Sequence, residues 1–173
     1  MPPLTTNSGS YPPGADHAQS APGILVVDDD PAVQRFLEHS LTRAGYRIFG
    51  ASNLADAVTM FDLVRCHVRL ALLDVSMPGG DGPEVLRELR LLSPELPAVF
   101  MSGELDPDMS DPLADRLRAE GASGLIAKPM RLPDLCAVLS ATLAGYVTTA
   151  CGLTPNRTGH RSPCPTPPSS HRP

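Results

Sequence analysis

The chain has few cysteines, and their spacing excludes the common cysteine-based sites. The four stand at positions 66, 136, 151 and 164, so no pair has the C-x-x-C spacing of a zinc ribbon or a thioredoxin motif. A G-x-x-x-x-G-K sequence is also missing, which excludes a phosphate-binding loop of that type. The chemistry of this chain must therefore depend on its other polar residues.

Long apolar runs are missing as well. No run approaches the roughly 20 residues that a membrane span requires. The N-terminus lacks the basic region followed by an apolar stretch that marks a signal peptide. The sequence therefore predicts a cytoplasmic protein that does not enter a membrane.

Positive charge is scarce, and lysine is the scarcest form of it. The formal net charge is −5, although residues 147–173 carry three arginines and no acid, so the acid excess lies in the middle of the chain. An acidic domain argues against direct nucleic-acid binding, which needs a basic face. Lys128 is the only lysine among 14 lysines and arginines. Since arginine serves everywhere else, this lysine indicates a site that needs a compact ammonium group.

Proline marks the two ends of the chain. Residues 1–23 contain five prolines and residues 147–173 contain six, out of 20 in all. This composition predicts a disordered N-terminal tail over 1–23 and a disordered proline-rich tail over 147–173. Residues 24–146 remain as a single domain of ordinary size.

That domain alternates short apolar runs with segments of helical periodicity. Because the strand runs are apolar rather than alternating, helices are expected on both faces of the sheet. We expect an α/β fold, a flavodoxin-like doubly wound parallel sheet of five strands in the order 2-1-3-4-5 with five helices. Asp30 and Asn53 are suited to cap the first two helices. The predicted strands are Ile24–Val27, Tyr46–Ala51, Val68–Leu73, Ala98–Met101 and Ser123–Ala127; the first helix should turn Val33, Phe36, Leu37 and Leu41 inward.

Polar side chains follow four of these strands. Asp28 and Asp29 come after the first strand, Asp74 after the third, Ser102 after the fourth and Lys128 after the fifth. The carboxyl ends of parallel strands share one edge of a sheet, and the order 2-1-3-4-5 makes these four strands neighbours. We therefore expect the three carboxylates, the hydroxyl and the ammonium to converge on one crevice.

Three converging carboxylates repel one another and raise each other's pKa. A hard divalent cation relieves this repulsion, and oxygen ligands favour Mg²⁺ over zinc. A magnesium ion that keeps some of its water leaves room for a phosphoryl group, to which Lys128 offers a charge and Ser102 a hydroxyl. Asp74 is then the natural nucleophile, and the product is an aspartyl phosphate.

Together with Met77-Pro78, Asp81-Gly82 and Pro129, these residues make the chain similar to the receiver domain of bacterial two-component response regulators, from about Ile24 to Leu143. The resemblance implies that Asp74 accepts a phosphoryl group from the phosphohistidine of a sensor histidine kinase or a histidine phosphotransfer protein. It implies Mg²⁺ bound directly by Asp29, Asp74 and the backbone carbonyl of Ser76, with Asp28 acting through water. Ser102 and Lys128 would contact the phosphoryl oxygens, and the Lys128–Pro129 peptide would be cis.

The resemblance further implies a signalling protein rather than an enzyme, since such a domain catalyses only its own phosphorylation and dephosphorylation. We expect a stand-alone receiver that signals by contact with an unknown output protein, with homodimerisation on phosphorylation left open. Two departures from the family favour an alternative, a receiver-fold scaffold that does not switch. Leu125 stands where the family often has an aromatic residue, and Pro107 and Pro112 interrupt the region of the fourth helix. A phosphatase acting on external substrates is disfavoured, because no D-x-D sequence surrounds Asp74.

Overall fold

The computed structural model of the chain describes residues 21–78, 80–105, 111–149 and 152–155. Five strands alternate with five helices, as predicted, and two further short strands follow. None of the described helices is long and apolar enough to cross a membrane. The elements are β1 (Gly23–Val27), α1 (Pro31–Arg43), β2 (Arg47–Ala51), α2 (Leu54–Val64), β3 (Val68–Asp74), α3 (Gly82–Leu92), β4 (Ala98–Ser102), α4 (Pro112–Ala119), β5 (Gly124–Ala127), α5 (Leu132–Leu143), β6 (Tyr146–Thr149) and β7 (Gly152–Pro155).

The first five strands form one parallel sheet in the order β2-β1-β3-β4-β5, which confirms the predicted topology. The register aligns the carboxyl ends of the strands. Val27 lies opposite both Ala51 and Leu73, and Ser102 lies opposite Ala127. The residues that follow β1, β3, β4 and β5 therefore leave the sheet along the same edge.

Two hydrophobic layers enclose the sheet, because successive strand residues point to opposite faces. Leu25, Leu73 and Phe100 face the layer formed with α2, α3 and α4. Leu72 and Met101 face the layer formed with α1 and α5. Each fully buried side chain of this size contributes about 1.5–3 kcal/mol relative to an exposed one, so the two layers supply most of the stabilisation.

Side-chain caps begin the first four helices. Asp30 Oδ1 accepts a hydrogen bond from the Ala32 N–H at 2.7 Å, and Asn53 Oδ1 accepts one from Asp56 at 2.9 Å, as predicted. Asp81 and Asp111 cap α3 and α4 in the same way. Each cap satisfies an N–H group that has no partner within its helix. The caps Asp30 and Asn53 lie within three residues of the ends of β1 and β2, whereas longer segments separate Asp81 and Asp111 from the strands that precede them.

Phe36 departs from its predicted position. It was expected to point inward with Leu37 and Leu41, but it is 47% exposed, whereas both leucines are fully buried. Of the described helices, only α1 and α5 contribute buried residues to this face of the sheet, so the flank of α1 is left open. The buried stripe of α1 is narrower than the sequence pattern predicted.

A second difference lies at the end of the domain. Residues from 147 onward were expected to lack regular structure, but β6 and β7 pair as an antiparallel hairpin with Tyr146 opposite Pro155. The first strand of the pair consists of the β-formers Tyr-Val-Thr-Thr, and the prolines that suggested disorder begin only at 155. Of the predicted N-terminal tail, residues 21–23 are described, and Gly23 is the first residue of β1. The remaining residues of the two predicted tails, 1–20, 150–151 and 156–173, lie outside the described residues.

Replacing Gly82 by alanine should destabilise the fold. A Cβ atom at Gly82 would clash with the backbone carbonyl oxygen of Asp74 and would lie 3.1 Å from two ring atoms of Phe100. Relieving such overpacking costs about 1–3 kcal/mol. We expect Gly82→Ala to lower the free energy of unfolding in urea by that amount. Gly103→Ala is the control, because no described residue other than its chain neighbours has an atom within 4 Å of the position that its Cβ would take. Equal effects of the two substitutions would contradict this account of Gly82.

Candidate functional site

Three carboxylates meet at the carboxyl ends of β1 and β3. One oxygen atom from each of Asp28, Asp29 and Asp74 lies within 4.8 Å of the other two. Asp28 is fully buried and Asp74 is 7% exposed, whereas Asp29 is exposed to solvent. The cluster is therefore a pocket whose two inner acids are shielded and whose outer acid faces water.

Lys128 reaches this cluster from the end of β5. Its Nζ atom lies 2.7 Å from Asp28 Oδ2 and 3.1 Å from Asp74 Oδ1. The backbone N–H of Lys128 donates to the Ser102 carbonyl at 2.8 Å, which extends the sheet register by one residue. The Lys128–Pro129 peptide is cis, as the resemblance implied. The single lysine of the chain thus bridges the two buried acids.

Burial and charge act against each other in this pocket. Burial raises the pKa of the Asp74 carboxyl, and the hydrogen bond and charge of Lys128 offset this only in part. Burial lowers the pKa of Lys128, but its hydrogen bonds with Asp28 and Asp74 and the charges of both acids outweigh burial, and the net shift is upward. The ammonium therefore stays charged, and a single positive group faces three carboxyl groups. Such a pocket favours an additional cation.

Two serines complete the surroundings of Asp74. Ser102 is buried at the end of β4, and its hydroxyl oxygen accepts a hydrogen bond from the Glu104 N–H at 3.0 Å. The backbone N–H of Ser76 donates to the Asp74 carboxylate and acts to lower its pKa. Ser102 therefore stands on the same sheet edge as the acids. The predicted roles of the Ser102 hydroxyl and the Ser76 carbonyl remain predictions.

Leu125 lies on β5, opposite Phe100 of β4, and is partly buried against the layer that contains α3 and α4. The helix α4 has eight residues, Pro112–Ala119, and Pro112 begins this helix instead of interrupting it. Residues 106–110, which include Pro107, lie outside the described part of the chain. An aliphatic side chain therefore occupies the position where the resemblance suggested an aromatic one.

Gln34 is a residue of this region that the sequence analysis did not single out. Its side-chain amide donates to the carbonyl oxygens of Asp28, at 2.6 Å, and Ala51, at 2.7 Å. In the sequence, Gln34 is a polar residue on the first turn of α1, next to the buried stripe. This position gives little indication of its role, because its hydrogen-bond partners are backbone atoms whose positions depend on the tertiary fold.

A flavodoxin-like sheet with an acidic pocket and a lysine at its carboxyl edge defines a class of α/β proteins whose candidate site lies at the carboxyl ends of the strands. The family model described as the response regulator receiver domain matches residues 24–140. The chain therefore belongs to the response regulator receiver family and carries the phosphorelay signalling domain of two-component systems.

Curated relatives agree with this assignment. The response regulator MprA of Mycobacterium avium (strain 104) is 37% identical over 123 residues, which cover 69% of this chain and 50% of that protein. The sensor kinase CckA of Brucella abortus (strain 2308) is 31% identical over 120 residues, which cover 69% of this chain and 12% of the kinase. The chain thus spans half or less of the length of these two relatives.

Solved structures show the same fold. The chemotaxis protein CheY4 of Vibrio cholerae has 25% identity and a TM-score of 0.63, covering 69% of this chain and 97% of CheY4. A chain of the CheX-CheY-BeF3-Mg complex from Borrelia burgdorferi has 20% identity and a TM-score of 0.63, covering 70% of this chain and 88% of that one. The second likeness concerns the fold alone.

Removing the charge of Lys128 should destabilise the protein. Lys128→Met leaves Asp28 and Asp74 facing each other without their shared cation, and breaking a buried ion pair costs about 3–5 kcal/mol. We expect a loss of this order in urea denaturation at neutral pH without added metal. Arg131→Met is the control, since its ion pair with Asp134 is exposed and should contribute little. Equal stability of Lys128→Met and the unmodified protein would contradict the proposed charge balance.

Proposed function

We propose that Asp74 accepts a phosphoryl group from a phosphohistidine in a magnesium-dependent reaction, and that the phosphorylated receiver signals through protein–protein contact. The observation that carries this proposal is the position of Asp74 within one cluster with Asp28 and Asp29, with Lys128 Nζ at 3.1 Å. Membership of the receiver family supports the same reaction.

The donor atoms of the pocket fit a magnesium ion. The cluster offers carboxylate oxygens only, and hard oxygen ligands are those that Mg²⁺ prefers. Asp28 Oδ1 already accepts from the Asp30 N–H at 2.9 Å, and its Oδ2 contacts Lys128 at 2.7 Å. Because both of its oxygens have partners, Asp28 is assigned to a metal-bound water. Direct coordination by Asp29, Asp74 and the Ser76 carbonyl is what the resemblance to the receiver family implies, and it is part of the proposal. When bound, Mg²⁺ neutralises part of the charge on the transferred group.

In the reaction, a carboxylate oxygen of Asp74 attacks the phosphorus of the phosphohistidine. The new P–O bond forms as the P–N bond breaks, and its electron pair returns to the imidazole nitrogen of the donor. Lys128 stabilises the negative phosphoryl oxygens, and the Ser102 hydroxyl donates a hydrogen bond to one of them. This chain's catalytic action extends only to its own phosphorylation and dephosphorylation.

The donor is a sensor histidine kinase or a histidine phosphotransfer protein in the cytoplasm, and the output is contact with another protein or with a second copy of the chain. A 120-residue segment of the sensor kinase CckA is similar to this chain, which associates this kind of domain with that class of donor.

The proposal also states that the receiver acts without an output domain. This part of the proposal is tested separately. An antibody against residues 24–146 should detect a cellular protein of about 18.3 kDa; a band of a larger protein alone would contradict it.

Acetyl phosphate with Mg²⁺ should phosphorylate the protein on Asp74. Intact mass spectrometry should show one added phosphoryl group, and hydroxylamine should remove it, as expected of an acyl phosphate. Asp74→Asn should abolish the adduct because an amide is a poor nucleophile, and EDTA should prevent it in the unmodified chain.

Asp62→Asn is the matched control, because Asp62 is an exposed carboxylate on α2. It should be phosphorylated like the unmodified chain. The proposal fails if the unmodified chain stays unlabelled while a known receiver is labelled in parallel. An adduct that persists in Asp74→Asn would show that another residue is the acceptor.

The second candidate is a receiver-fold scaffold that does not switch, and Leu125 is the observation that favours it. A partly buried leucine lacks the aromatic ring whose rotamer reports phosphorylation in the family. Amide NMR spectra with and without phosphorylation separate the two functions. A switch predicts shifts that extend from the pocket to α4 and β5, or a change in sedimentation. Shifts confined to the residues around Asp74, with unchanged sedimentation, would favour the scaffold.

A further inference from the structure

Gln34 connects the helix α1 to the ends of two strands. Its Nε2 atom lies 2.6 Å from the Asp28 carbonyl oxygen, 2.7 Å from that of Ala51 and 3.2 Å from Ser52 Oγ. Asp28 and Ala51 are themselves paired, since the Asp28 N–H donates to the Ala51 carbonyl at 3.2 Å. A side chain of α1 therefore bridges the ends of β1 and β2 at the point where the acidic pair begins.

Every polar atom of Asp28 has a partner in this arrangement. Its N–H donates to Ala51, its carbonyl accepts from Gln34, its Oδ1 accepts from the Asp30 N–H, and its Oδ2 contacts Lys128. Three of the four partners are backbone groups or the lysine already described. Gln34 is the one additional side chain, and it holds the backbone rather than the carboxylate.

The position of that carbonyl restricts where the Asp29 side chain can point. The carbonyl of Asp28 and the N–H of Asp29 belong to one planar peptide group, so holding the carbonyl also sets the orientation of the residue that follows. Asp29 is exposed and belongs to the carboxylate cluster. An exposed carboxylate on a backbone that can rotate would sample many positions, only some of them within reach of a shared cation.

We propose that Gln34 is a positioning residue for the cation site, which it orders by fixing the Asp28–Asp29 peptide. This inference rests on the proposed function, since it takes Mg²⁺ as the ligand of the acidic cluster. The Gln34 side chain donates to the carbonyl oxygens of Asp28 and Ala51 and to Ser52 Oγ, and not to a carboxylate of the cluster. It acts as the residues around metal ligands generally do, by orienting the ligands, and losing such a residue typically weakens metal binding 10-fold or more.

Gln34→Met tests this role, because methionine keeps the length and neutrality of glutamine but has no N–H group to donate. Mg²⁺ is titrated into the ¹⁵N-labelled protein, and the amide shifts of residues 28, 29 and 74 give the dissociation constant. We expect the variant to bind Mg²⁺ roughly 10-fold more weakly. At saturating Mg²⁺ its rate of phosphorylation by acetyl phosphate should return to that of the unmodified chain.

Tyr46→Phe is the matched control. The Tyr46 hydroxyl and Ser140 Oγ lie 3.0 Å apart and connect the segment after α1 to α5, away from the acidic pocket. Both substitutions remove a hydrogen bond between elements and should lower the melting temperature. Only Gln34→Met should weaken Mg²⁺ binding, and equal Mg²⁺ affinity of Gln34→Met and Tyr46→Phe would overturn the inference.

The titration separates this inference from the function on which it rests. If the unmodified chain binds no Mg²⁺, the proposed metal dependence and the role of Gln34 both fail. If the unmodified chain and Gln34→Met bind Mg²⁺ equally, only the role of Gln34 fails. Should Gln34→Met not fold, Gln34→Asn replaces it. Its amide is one methylene shorter and cannot reach both carbonyls, so it should also weaken binding.

Discussion

The contact of one ammonium group with two buried carboxylates is the constraint on which the pocket depends. Lys128 lies 2.7 Å from Asp28 and 3.1 Å from Asp74, and both acids are nearly inaccessible to water. Without this cation, two charges would be buried side by side, which a protein interior tolerates poorly. Lys128 follows β5 and Asp74 ends β3, so the contact requires a strand order in which a single strand, β4, separates β3 from β5. The topology of the sheet and the charge balance of the pocket are therefore parts of one arrangement.

Much of this arrangement could be predicted because it depends on sequence-local signals. Apolar runs that end abruptly in a polar residue identify both the strands and the residues at their ends, and parallel strands place those ends on one edge. The caps at Asp30 and Asn53 were visible for the same reason, since a cap acts within three residues of itself. Asp28, Asp29, Asp74 and Lys128 could thus be assembled from the order of the elements alone, although they are far apart in the chain.

The features that were missed depend on what packs against a residue. Phe36 has the spacing of a core residue, but its exposure depends on how many helices cover that face of the sheet, which no local pattern encodes. The β6–β7 hairpin was not predicted, because the high proline content of residues 147–173 as a whole indicated disorder. The β-forming residues of β6 occupy only four positions, Tyr146–Thr149. The role of Gln34 depends on carbonyl groups of two different strands, and a glutamine near the start of a helix has no distinctive pattern. Every residue has a backbone carbonyl group, so the sequence does not indicate which carbonyl groups accept a hydrogen bond from a side chain.

The pocket also places a limit on how stable this receiver can be. Three carboxyl groups share one ammonium group, and burial raises the pKa of Asp74. Repulsion among the carboxylates therefore lowers the free energy of unfolding. The hydrophobic layers on both faces of the sheet must offset this cost, because the caps and the exposed ion pairs contribute much less. The same repulsion makes the pocket receptive to a cation, since any positive charge that enters relieves it. The acids whose burial and mutual repulsion oppose folding are therefore the same groups that the proposed cation would contact, and Gln34 holds the backbone between two of them.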